Sequence, residues 1–313
     1  MPKPSVGSVH QNAALGRVAI GYRNPTYVLG HPTNGVFPSV SVKFENDDYY
    51  LWNAGEIFGN AAEVVAPGGR APRGGFSHTT ASYKLEEIKY SWAIPDRVRD
   101  NMDTAIMADL SATRRCMDKI QLYKELEIAG ILTTTGNWGG SGDPAVKWDV
   151  YGTAVPTRNV EDASEAVRLK CGMRANTGVL SITWALHAMR SDELRDLIRY
   201  TGNPLGSLAS FETLRIAFKL QRLLLVEAIY NSANPGQTAS LGDVMGAHMW
   251  VGYVPNNPMI DEPSAGYTFI KGGPRVRTWR EDAEEQDVVE AAYLNVTKVT
   301  ASVAGYVITN LNT

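Results

Sequence analysis

Residues Thr104–Gly130 read TAIMADLSATRRCMDKIQLYKELEIAG. Within them Ile106, Leu110, Thr113, Met117 and Ile120 step by three and four, which is one apolar stripe and predicts a helix over about 104–130. Asp103 stands where an N-cap is wanted, Arg114 and Asp118 form an i,i+4 pair for the wet face, and Gly130 is placed to end the helix. At ~1.5 Å per residue this is a rod of about 40 Å. An ordinary core helix accounts for the stripe but less well for that length.

On its N-terminal side lies an unusual stretch, residues 47–92. Tyr49, Tyr50, Leu51 and Trp52 open a strand-like run, and Tyr83, Leu85, Ile88 and Tyr90–Trp92 close one. Between them is EVVAPGGRAPRGGFSHTTA, with Gly68, Gly69, Gly74 and Gly75 beside Pro67 and Pro72. Two β-prone flanks around a Gly/Pro-rich tip predict a long hairpin with no core of its own. Such a loop exceeds ordinary connection lengths and should be either disordered or functional, in the second case covered by a partner subunit. Residues 1–46 are rich in Pro, Gly and Asn and read as an extended arm without a helical period. Its isolated anchors Val28, Leu29, Val36 and Phe37 are expected to dock on its own surface or a neighbour's.

On the C-terminal side, 131–158 reads as loop. A helix capped by Asn159 is then expected to run to Cys171. The apolar run Val179, Leu180, Ile182 precedes two helices starting at Thr183 and Ser191, and Ser210 caps another through Phe218. The strand Leu223–Val226 follows. This α/β alternation over 159–260 predicts one compact mixed domain. Strand-rich sequence returns at Val244–Val254, Tyr267–Ile270 and Val288–Leu311.

The chain's chemistry is sparse. Its 313 residues carry 30 Lys+Arg against 33 Asp+Glu, a formal charge of −3, which argues against a free-standing nucleic-acid binder. Cys116 and Cys171 read as small buried hydrophobes in a reducing compartment. No stretch reaches the ~20 apolar residues of a membrane span, and no signal peptide is visible. The five histidines lack metal-site spacing, GNWGGSGDP at 136–144 lacks the Lys-Ser/Thr of a phosphate loop, and no nucleophile elbow is present. The acidic run Asp282, Glu284, Glu285, Asp287, Glu290 reads as a solvated face or as partners for a neighbour's arginines. The sequon at Asn295 falls in a predicted strand and is discounted. No catalytic residue, metal or cofactor is expected. The chain has 29 glycines, an excess for its length, and the excess gathers at the loop tip and at 136–142, where the chain is expected to bend.

The order of parts, with a series of short motifs, resembles the tailed-phage major capsid proteins of the HK97-type fold. The motifs are Phe37–Val42 (FPSVSV), Tyr49–Tyr50, Ala66–Pro67–Gly68, Ala71–Pro72–Arg73 and Ala93–Arg99 (AIPDRVR). Thr135–Trp138 (TGNW), Arg174–Thr177 (RANT), Ala228–Asn231 (AIYN) and Pro263–Phe269 (PSAGYTF) complete the series. Each is weak alone; their order and spacing from about residue 35 onward carry the likeness.

The resemblance implies an α+β HK97-like fold: N-terminal arm 1–46, E-loop hairpin 47–92, P-domain 93–158 with its spine helix, A-domain 159–260, and P-domain strands returning over 261–313. The last strand would be able to join the A-domain sheet. It implies a shell subunit, assembled in the host cytoplasm and ending in the virion, that forms pentamers and hexamers of itself around double-stranded DNA. Only about 46 residues precede the loop, so a separate scaffold protein is expected rather than a fused one. A portal and a cement protein are the other implied partners, with no membrane. The family's name-giving member crosslinks its subunits through a Lys and an Asn; the two positions are not both matched here, so neither Lys84 nor Lys89 is assigned that role. The candidate inter-subunit contacts are Tyr49, Tyr50, Trp52, Arg70, Arg73, Phe76, Tyr83 and Trp92. Two other readings compete: an encapsulin-like cargo compartment, and an enzyme with a dispersed site near Trp138, Asp143 and Trp148.

Overall fold

The computed structural model describes residues 10–11, 13–22, 24–52, 58, 62–73, 79–101, 105–200, 210–234, 236–257 and 262–313. In chain order it has β1 (His10–Gln11), α1 (Ala13–Gly21), β2 (Ser39–Ser41), β3 (Asn46–Leu51), β4 (Thr79–Lys84), β5 (Glu86–Pro95), α2 (Asp96–Asp100) and α3 (Ala105–Thr133). Next come β6 (Gly140–Gly142), α4 (Pro156–Cys171), β7 (Thr177–Ser181), α5 (Ile182–Arg190), α6 (Asp192–Tyr200), α7 (Phe211–Ala217) and β8 (Arg222–Val226). The remainder is strand: β9 (Ile229–Asn231), β10 (Leu241–Asp243), β11 (Met249–Gly252), β12 (Gly266–Ile270), β13 (Arg275–Glu281), β14 (Gln286–Val299) and β15 (Gly305–Ile308). No helix among the described residues is long and apolar enough to cross a membrane.

Two sheets organise these elements. The first runs β1-β13-β14-β12-β2, with β5 pairing β14 along Glu86–Pro95. The second runs β6-β15-β11-β7-β8. In the second sheet alternate side chains separate two cores, as a period of two requires. Val179, Trp250 and Val307 face one, with Val167, Ile128 and Phe37. Leu180, Met249 and Ile308 face the other, with Trp148, Leu194 and Phe218.

The long helix α3 has 29 residues, and its length is explained by serving both sheets. Ala112, Cys116, Met117 and Ile120 pack on Val289 and Ala291 of the first sheet. Ile128, Ala129 and Leu132 enter the core of the second. Gly130 does not stop it. The helix continues three residues because its last carbonyls find donors: Trp138 Nε1 reaches the carbonyls of Ile131 and Leu132 at 3.1 Å each, and Asn137 Nδ2 reaches Ile131 at 3.0 Å. The TGNW motif is therefore the C-terminal cap of the rod. Asp103 lies outside the described residues. Asp118, expected to pair with Arg114, instead accepts from the Tyr22 hydroxyl at 3.0 Å and Asn24 Nδ2 at 3.2 Å.

Several other expectations are corrected. Helix α4 starts at Pro156, whose fixed φ and missing N–H suit a first turn; Asn159 lies inside it and accepts from the Trp148 indole at 3.1 Å. Residues 13–21, read as part of an extended arm, form α1, with Leu15 and Ala19 buried beside α3. The strand-rich run 288–311 breaks at 300–304, where the chain passes from the first sheet to the second. Gly140 and Gly142 are not a bend. They sit in β6, where a side chain would collide with the Tyr306 ring lying over the strand.

Candidate assembly surfaces

Strands β3 and β4 pair antiparallel from Asn46↔Lys84 to Leu51↔Thr79, forming the base of the hairpin. The return strand does not continue to Trp92 within the hairpin. It breaks at Leu85, whose N–H closes the hairpin on the Glu45 carbonyl at 2.8 Å, and β5 then joins β14. The base is fixed on the face of the first sheet opposite α3. There Tyr83 stacks on Phe269 at 4.5 Å, and Tyr49 lies 5.5 Å from the same ring, beside Leu85 and Val296. Lys271 ties it from outside, 2.8 Å from Glu45.

The tip, 62–73, is exposed throughout, with Val64 wholly so. It holds one turn: Gly69 N–H donates to the Ala66 carbonyl at 2.8 Å, with Pro67 and Gly68 between and Gly68 at φ +88°. That is the type II pattern, in which Pro sets the first corner and Gly supplies the positive φ at the second. The Ala-Pro-Gly motif thus encodes a turn.

The predicted contact residues divide. Tyr83 is only 4% exposed and is consumed by its own subunit, as is most of Tyr49. Trp92 is half-buried on β5, under the Arg115 guanidinium at 4.8 Å and against the α3 core, because β5 belongs to the sheet and not to the hairpin. Trp52 packs on the second sheet's core and meets Phe58 edge-on at 6.1 Å. Tyr50, Arg70 and Arg73 are exposed. Phe76 lies outside the described residues, as do Gly74 and Gly75.

A charged cluster joins α2, α3, β13 and β14. Arg99 reaches Asp109 at 2.7 Å and Asp287 at 3.0 Å; Arg280 pairs with Asp96 and, at 3.5 Å, with Asp287. The Arg280 guanidinium holds the Asp96 carboxyl below its ordinary range. The AIPDRVR motif is thus an intrasubunit joint, and Asp287 of the acidic run serves the same chain. These pairs are partly exposed and screened, so they orient more than they stabilise.

A second joint went unread in the sequence. Glu125, fully buried on α3, accepts the backbone N–H groups of Val28 (3.0 Å), Leu29 (2.9 Å) and Gly30 (3.2 Å), clamping the arm to the helix. Burial pushes its carboxyl above the ordinary value, against the opposing pull of those three amides. Leu29, Val36 and Phe37 follow into the subunit's own core. The signal was present: one helical step beyond Ile120, the apolar stripe meets Lys124 and Glu125.

Trp138, Asp143 and Trp148 are not gathered into one site. The two tryptophans belong to different cores, and Asp143 is engaged by Thr309 and by Asn310 at 3.0 Å. Cys116 and Cys171 are buried thiols, Cys116 pushed up to about 11 by burial. Asn295 is buried in β14, out of reach of glycosylation in the folded chain. No group of three or more His, Cys, Asp or Glu is placed to hold a metal among the described residues.

Two sheets bridged by one rod, with a hairpin springing from the outer face of the first, are the arrangement of the HK97-type capsid fold. The chain is 26% identical over 315 residues to the major capsid protein of Burkholderia phage BcepMu, covering 95% of each. Its fold matches a phage-related protein from Bordetella bronchiseptica RB50 with TM-score 0.73 and 21% identity, over 95% of this chain and 96% of that one. It also matches the mature capsid of bacteriophage PhiM1 with TM-score 0.52 and 11% identity, over 88% and 86%. No protein-family model matches. The chain is thus similar over nearly its whole length to a phage major capsid protein, and its fold is that of the HK97-type phage capsids.

Proposed function

We propose that the chain closes the icosahedral shell by joining copies of itself in pentamers and hexamers, enclosing double-stranded DNA without reading its sequence. The observation that carries this reading is the hairpin. It is braced at its base by Tyr83 on Phe269, while its tip 62–73 exposes Val64, which no described residue covers, with Val65 partly exposed beside it. Apolar residues held out on a braced lever fit a contact surface for a neighbour. Repetition of one heterologous contact around a rotation axis closes rings.

In this reading the E-loop role falls to β3, β4 and the tip, and the P-domain role to α3 with the first sheet. The A-domain role falls to the second sheet with α4–α7, and the arm 1–46 serves as a strap. The chain acts through surfaces and not through catalysis. A formal charge of −3 suits a container that need not grip its contents. A separate scaffold, a portal and a cement protein are the further partners this function calls for.

The test is sedimentation and electron microscopy of the expressed protein, with scaffold supplied, beside a variant whose residues 62–73 are replaced by a short turn. Closed particles from the parent and dispersed subunits from the folded variant are expected. Closed particles from both would overturn the role given to the tip. Packaged nucleic acid against co-purified cargo protein separates a phage head from a cargo compartment.

A further inference from the structure

A cavity of about 430 Å³ lies between α1, the arm, α3 and the β12–β13 turn. Its wall is largely apolar, formed by Ile20, Met117, Ile270, Pro274 and Tyr293, and Ile20, mostly exposed, stands at its rim. Into this wall α3 places one cation. Lys124 is 4% exposed and makes no hydrogen bond or ion pair among the described residues; its ammonium lies 5.0 Å from the centre of the Tyr293 ring. The adjacent carboxylate, Glu125, is spent on the three arm amides. Glu127 raises the Lys124 pKa through its charge without an ion pair, yet burial still pulls that ammonium down to about 8. A buried charge without a partner is costly, and such a group persists where a partner arrives. The geometry therefore calls for a carboxylate carried beside apolar groups.

We propose that the cavity receives Glu63–Val64–Val65 from the hairpin tip of a second copy of the chain, with the Glu63 carboxylate on Lys124 and the valines against the apolar wall. Glu63 makes no ion pair among the described residues, and Val64 is wholly exposed, so charge and apolar surface are both complementary to the cavity. The donor is another copy because the hairpin base packs beside Phe269 on one face of the first sheet, while the cavity opens beside Tyr293 on the face that α3 covers. The 27 residues between Leu51 and Thr79 can carry the tip at most ~45 Å from its base, a distance that spans a subunit boundary. The proposal rests on the shell reading and adds its partner residues.

The experiment is photo-crosslinking in assembled particles. A photoreactive amino acid replaces Val64, particles are irradiated, and digests are mapped by mass spectrometry. Crosslinks from position 64 to peptides holding residues 117–124 or 270–274 are expected in particles and not in dispersed subunits. Particles whose crosslinks fall elsewhere overturn the proposal. Absence of any particle overturns the shell reading itself, and is told apart because no assembly is seen at all. Loss of the charge pair gives the second arm. Lys124→Met should leave subunit unfolding unchanged or raise its midpoint, while the concentration for half-assembly rises about tenfold, as should Glu63→Gln. The double variant should be no worse than either single one. Additive losses, or Lys124→Met assembling like the parent, overturn the pairing. An aliphatic carboxylate released from particles by organic extraction, with crosslinks elsewhere, would assign the cavity to a free ligand instead.

Discussion

Two Gly/Pro-rich stretches of this chain, 24–38 and 62–73, read alike as sequence and end in opposite conditions. Both lack periodicity, and both carry isolated hydrophobic residues among turn formers. The first is strapped to α3 by Glu125, and buries Leu29, Val36 and Phe37. The second holds a single type II turn and exposes Val64. The difference is not local propensity. A helix elsewhere in the chain supplies the arm with an acceptor for three amides and a core for its anchors, and no described residue supplies the tip with either. An aperiodic segment is finished by its partner, and in the proposed reading the tip's partner is another copy.

The largest effect expected on that comparison comes from pulling out the arm's anchor. Phe37→Ala should cost about 3–5 kcal/mol of subunit stability in denaturant unfolding, because its ring fills the junction of Trp138 and Trp250. A cost under ~1 kcal/mol would mean the arm is not part of the core. Next in size is the pH response of the buried lysine. With the Lys124 pKa pulled down to about 8 from its ordinary 10.5, the unfolded chain binds more protons between those values. The stability difference between the parent and Lys124→Met should then shift in the parent's favour with rising pH from about 8 toward 10, by up to about 3 kcal/mol across the full window. The scan stops near pH 10. The difference is the readout because Cys116, pushed up to about 11, and Tyr253 and Tyr293, pushed up to about 12, stay protonated where their unfolded counterparts ionise, which lowers the stability of both proteins.

A smaller loss, about 1–3 kcal/mol, is expected from Glu125→Gln, which leaves buried arm amides short of an acceptor. Hydrogen exchange should quicken at Val28–Gly30 while the amides of β14 stay protected; uniform quickening would argue against a local clamp. The least effect on the isolated subunit belongs to the tip. Val64→Ser with Val65→Ser should leave unfolding within about 0.5 kcal/mol of the parent, yet impair particle formation. Variants with both properties intact would remove the tip from the assembly surface.

Much of this was legible in advance. The 3.6-residue stripe gave α3 to within a few residues, and the β-prone flanks gave the hairpin, since those signals are local. Ser210 capped its helix as read, its hydroxyl accepting from Thr213 N–H at 3.3 Å. What escaped depended on distant partners. Gly130 failed to end α3 because Trp138 and Asn137 satisfy the carbonyls beyond it. Asn159 lost its cap role to the Trp148 indole, and Trp92 moved from a supposed contact surface into the α3 core because β5 pairs with β14. Among the assembly residues, Tyr83 was read by its position on the hairpin, which cannot distinguish a residue bracing the lever from one projecting beyond it. Lys124 and Glu125 were the clearest missed signal. Two charges on a buried stripe require a reason, and one of them straps the arm.

In the proposed reading an apolar tip, left uncovered by the described residues of its own subunit, is covered by a neighbouring copy in a closed shell. A cryo-electron microscopy map of particles assembled from the full chain tests it most directly. The account predicts closed shells in which 62–73 of every copy is ordered against another copy, with Val64 covered. Shells in which that segment stands free in solvent, or subunits that stay dispersed at every concentration with scaffold present, would contradict it.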